Sequence, residues 1–114
     1  MAETNGLTDG EYLVLAPLEG GAPRPLSEIA DDFIRLVAST VPTMAQVAAV
    51  LGPGMRSAVA RDLIEVHRFP SWPMPWIDGV RVGAGELRGA GIWAEREDSE
   101  LLAARITDAG ARCL

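Results

Sequence analysis

Apolar residues recur at helical spacing through the first half of the chain and alternate with period two just beyond it. A first helix is predicted over Thr8–Leu18. Thr8 and Glu11 form a Thr-x-x-Glu capping box, Leu7 is placed to staple onto Tyr12, and Leu13, Val14, Ala16 and Leu18 make an apolar stripe that leaves Glu11 and Glu19 outside. Gly20-Gly21-Ala22-Pro23-Arg24-Pro25 breaks the pattern. A second helix is predicted from Leu26 to Ser39, with Ser27 as its candidate cap. It is apolar at Ile29, Phe33, Leu36 and Val37 and charged at Glu28, Asp31, Asp32 and Arg35. Val41-Pro42 ends it, because the residue before proline avoids the helical region.

A second capping box, Thr43 to Gln46, opens a third helix with Val47, Val50 and Leu51 as its core stripe. Gly52-Pro53-Gly54 reads as a tight turn. A fourth helix is expected over Met55–Leu63. It buries Met55, Val59 and Leu63, with Ala58 between them, and turns Arg56, Ser57, Ala60 and Arg61 elsewhere. Ile64–Phe69 alternates as a strand, and Leu101–Ile106 is its expected antiparallel partner. Thr107 caps a final helix through Leu114. Between the two strands, Pro70-Ser71-Trp72-Pro73-Met74-Pro75-Trp76 is neither helix nor central strand, since its prolines remove donors. Val80-Arg81-Val82 suits a short strand, Glu86–Ala94 a weak helix discouraged by Gly89 and Gly91, and Glu95–Glu100 a solvated loop. The organisation expected is a polar tail over 1–6 and one α+β domain over 7–114.

Composition narrows the class. A chain of 114 residues, 48% apolar and 23% charged, has the make-up of one globular domain. No apolar run reaches the roughly eighteen residues of a membrane span. The start of the chain lacks the basic and apolar blocks of a signal peptide, so no membrane association and a cytoplasmic location are expected. Cys113 stands alone, without a partner for a disulfide or for zinc. His67 is also alone, with no Cys or second His to complete a metal site and no Ser, Cys or acid placed in sequence to suggest a catalytic dyad. Gly83-Ala84-Gly85 is too short for a phosphate loop. No enzyme activity and no cofactor are expected. All ten basic residues are arginine, and the net charge is −6. Such a domain is repelled by DNA at long range, so any nucleic-acid contact needs a locally basic face.

Residues 43–63 carry the pattern of a helix–turn–helix: Ala48 as the small residue at the crossing, Gly52 at the turn and Val59 as the apolar lock. Together with three further segments this resembles the winged-helix bacterial regulators of the MarR or PadR kind. Leu7–Leu15 resembles their opening helix, Asp62–Val66 the entry to their wing, and Arg105–Gly110 the strand leaving it. The sequence departs from the pattern at Arg61-Asp62, where these families place a glycine, and in the long Trp/Pro-rich insertion that replaces a short wing hairpin.

The resemblance implies a winged helix-turn-helix with a small antiparallel sheet and an extended wing insertion. It also implies a transcriptional regulator that binds double-stranded DNA, and a homodimer is expected so that two weak half-site contacts add. The base-reading residues would be Arg56, Ser57 and Arg61 in one alignment, or Thr43 and Gln46 in the other, because Arg and Gln match guanine and adenine edges. Arg68, Arg81 and Arg105 would reach phosphate or minor groove from the wing. The alternative is an acidic winged-helix module that binds a protein through Trp72 and Trp76, since aromatic side chains anchor interfaces, or through Glu28, Asp31 and Asp32. Local charge separates the two: DNA binding requires Arg56, Arg61, Arg68 and Arg105 to share a face free of carboxylates.

Overall fold

A computed structural model describes residues 7–36, 42–94 and 101–114. The expected tail over 1–6, the end of the second predicted helix over 37–39 with Val41 of its stop, and the loop over 95–100 lie outside the described residues. Helix α1 (Asp9–Leu15) starts where its capping box places it, with the Thr8 hydroxyl accepting from the Glu11 N–H and the Glu11 carboxylate accepting from the Thr8 N–H. It tightens into a 3-10 turn over Ala16–Leu18. A two-residue strand β1 (Arg24–Pro25) follows and leads straight into α2 (Leu26–Leu36).

The next helix corrects the sequence reading. Residues Met44–Ala60 form one continuous helix, α3, with Pro53 inside it. The predicted turn at Gly52-Pro53-Gly54 does not form, and the predicted fourth helix is the second half of α3. Two facts explain this. Pro53 is exposed, so the Ala49 carbonyl that loses its i+4 donor lies on the solvent side of the helix. Gly54 is buried where α3 crosses α1, and a Cβ there would fall 2.3 Å from the Gly10 carbonyl carbon. The glycine permits close approach of two helices, which in sequence looks the same as permission to turn. With the axis uninterrupted, Val50 moves from its expected core place to 42% exposure.

Helix α3 ends in a Schellman motif. Asp62 adopts a left-handed φ of 61°, its N–H donates to the Val59 carbonyl, and the Leu63 N–H donates to the Ala58 carbonyl. An aspartate thus takes the conformation that a glycine would take with less strain.

Strands β2 (Ile64–Phe69), β3 (Val80–Val82) and β4 (Leu101–Ile106) form an antiparallel sheet in the order β1-β4-β2-β3. Ile64 opposes Ile106 and Phe69 opposes Leu101. This register sends Ile64, Val66, Ala104 and Ile106 into the core beneath the helices, and Glu65, His67, Phe69, Ala103 and Arg105 to the opposite face. The short helix α4 (Asp108–Arg112) is capped by Thr107, whose hydroxyl accepts from the Gly110 N–H and donates to the Asp62 carbonyl. The weak helix expected over Glu86–Ala94 is replaced by two 3-10 turns, Ala84–Glu86 and Ala90–Trp93. They bring Leu87 and Trp93 into the helix-side core with Leu15, Leu26, Ile29, Leu51 and Met55. Among the described residues the result is an α+β domain of four α-helices and a four-stranded antiparallel sheet. No described helix is long and apolar enough to cross a membrane.

Candidate interaction surfaces

Three of the residues expected to read DNA are engaged inside the fold. Glu11, expected outside α1, is fully buried. Its carboxylate accepts from the Ser57 hydroxyl at 2.5 Å and from Arg61 Nη1 at 2.7 Å, besides the Thr8 N–H. Burial pushes this carboxyl upward. The bonds from Ser57, the Thr8 N–H and Arg61 outweigh that, so it stays below the ordinary carboxylate range. Arg56 Nη1 donates to the Leu87 carbonyl at 3.0 Å and ties the insertion to α3. Arg56, Ser57 and Arg61 therefore join α3 to α1 and to the wing.

Thr43 and Gln46 are exposed at the start of α3. The Thr43 hydroxyl accepts from the Gln46 N–H and the Gln46 side-chain oxygen accepts from the Thr43 N–H, so both are spent on the cap. The exposed positions beyond them, Ala45, Ala49, Val50 and Pro53, carry no charge.

The wing arginines are each paired. Arg68 lies 3.4 Å from Glu86, Arg81 lies 3.3 Å from Asp62, and Arg105 lies 3.5 Å from Glu65 with its guanidinium 4.7 Å above the Trp76 ring. Elsewhere Arg24 bridges Glu28 and Asp32, Arg35 also reaches Asp32, and Arg88 bonds the Gly85 carbonyl. Carboxylates therefore interleave the arginines. Arg56, Arg61, Arg68 and Arg105 are not brought together as one carboxylate-free basic patch.

Trp72 and Trp76 fold back over the sheet face that the helices leave open. Trp76 stacks on His67 with ring centroids 4.0 Å apart, and Trp72 meets Phe69 edge-on at 5.0 Å. Gly79 makes room for this cluster, since a Cβ there would fall 2.5 Å from the Phe69 ring. The cluster buries Phe69 and Ala103 apart from the main core. His67 sits within it, with Nε2 3.6 Å from Glu65 and Nδ1 buried without a partner. Among the described residues, the large apolar side chains the wing turns outward are Ile77, 87% exposed, and Val80, 65% exposed. Neither stands out in the sequence as a binding residue, Val80 reading only as part of a short strand. The one available signal was an apolar residue directly after a Trp/Pro segment whose own rings had a sheet to cover.

Recesses among the described residues include the following two. One is an open cleft of about 820 Å³ bordered by Glu19, Glu65, Arg105 and Asp108. The other is a groove of about 380 Å³ between α1 and α2, lined by Tyr12, Leu13, Phe33 and Leu36. Among the described residues no group of three or more His, Cys, Asp or Glu side chains could hold a metal ion. No family model, no curated protein and no solved structure matches the chain.

Proposed function

We propose that this chain is a winged-helix-like domain that binds a protein partner rather than DNA. The element order supports the winged-helix reading: a helix, a short strand, two helices, a strand, a long insertion and a returning strand, with β4 set between β1 and β2. In this reading α2 and α3 take the place of the helix pair expected within residues 43–63, and the described residues 70–94 belong to the wing. The observation that carries the choice of partner is the commitment of the arginines. Every described arginine is held by a contact within the chain, and the exposed positions in the first half of α3 are uncharged. A duplex is bound largely by neutralising its phosphates, and a domain of net charge −6 with no free basic face among the described residues does this poorly. Ile77 and Val80, on a wing braced by the Trp72–Trp76 cluster, are the contact points this reading favours.

A second reading keeps one observation of its own. Thr43 and Gln46 stand exposed at the start of α3, the helix that would enter a major groove if the chain were a dimeric DNA-binding regulator. One experiment tests both. Fluorescence anisotropy with the upstream DNA of its own gene, at low and high salt, is run beside cross-linking capture from extract of its own source with wild type and Ile77→Asp. The expected result is no salt-sensitive DNA binding and a discrete cross-linked partner that Ile77→Asp loses while its melting temperature is unchanged. Tight DNA binding that weakens steeply with salt would overturn the proposal in favour of the second reading.

A further inference from the structure

We draw no further inference here: the strongest candidate, the open cleft between the turn at residues 19–21, the end of β4 and α4, rests on the carboxylates of Glu19, Glu65 and Asp108, with no second feature on its walls that points to a ligand.

Discussion

Replacing Gly54 with alanine separates a helix crossing from a turn. In an exposed turn the added methyl would be harmless, and within a helix it would bring about 1 kcal/mol of propensity. At this crossing it falls 2.3 Å from the carbonyl carbon of Gly10, 2.4 Å from its oxygen and 2.8 Å from the Glu11 nitrogen. All three are backbone atoms, so no rotamer change relieves the clash. Ordinary contact begins near 3.4 Å, so α1 and α3 must part by about 1 Å. That movement also pulls on the Glu11 bonds to Ser57 and Arg61. Overpacking of this kind costs about 1–3 kcal/mol, and the stretched bonds add to it. Against the propensity gain, the net expectation for Gly54→Ala is a loss of about 2 kcal/mol, or roughly 8 °C in Tm for a domain of this size. Pro53→Ala, one residue away and exposed, should move the other way by about 1–2 kcal/mol, since it restores a helical donor and loses part of that gain to a freer unfolded chain. Urea unfolding followed by circular dichroism reads both. A neutral or stabilising Gly54→Ala would refute the close crossing and with it the continuous helix packed on α1.

Other consequences are independent of this one. Glu11→Gln should cost about 2–4 kcal/mol, because it removes the buried charge that holds Ser57 and Arg61. The Glu11 carboxyl titrates lower in the folded chain than in the unfolded one. Its contribution is therefore complete above the ordinary carboxylate range and is lost as pH falls through the folded value. Wild type should lose more stability than Glu11→Gln between neutral and acidic urea titrations, and parallel pH profiles would rule the linkage out. Asp62→Gly should be more stable than Asp62→Ala by about 1 kcal/mol, the cost of a left-handed Cβ. Losing the largely exposed Arg81 pair should matter little by comparison, and equal melting temperatures would contradict the strained cap. Trp76→Ala should cost about 2 kcal/mol and shift the imidazole resonances of His67 downfield by removing the stacked ring current. Because His67 is the one histidine, its proton NMR signals report this directly, and unmoved signals would mean the wing does not cover the sheet.

The legible parts of this fold are those written in neighbouring residues. The boxes Thr8–Glu11 and Thr43–Gln46, the cap at Thr107 and the alternation of Ile64–Phe69 each act within a few positions, and the structure places helix starts and strand there. What was not legible depends on pairs far apart in sequence. Gly54 is explained by Gly10, and the fate of Ser57 and Arg61 by Glu11, contacts that span 46 and 50 residues. The same distance decides the functional argument. On a helical wheel Arg56, Ser57 and Arg61 form a plausible base-reading edge, and nothing local argues against it. Glu11 has to be neutralised, however, because a buried carboxylate without donors costs several kcal/mol. Ser57 and Arg61 supply those donors. To hand them to DNA would leave the Glu11 charge to the Thr8 N–H alone, so the α1–α3 crossing and base reading from the end of α3 would compete for the same side chains. Creating a DNA-reading edge here would therefore need Glu11 replaced by an apolar residue as well as basic residues added. An Glu11→Leu background, in which Arg61 is released, is the setting where the competition can be measured. If Arg61 then confers salt-sensitive DNA retention that wild type lacks, the buried carboxylate is what withholds it. If retention is absent in both, the uncharged outer positions Ala45, Ala49 and Val50 are reason enough.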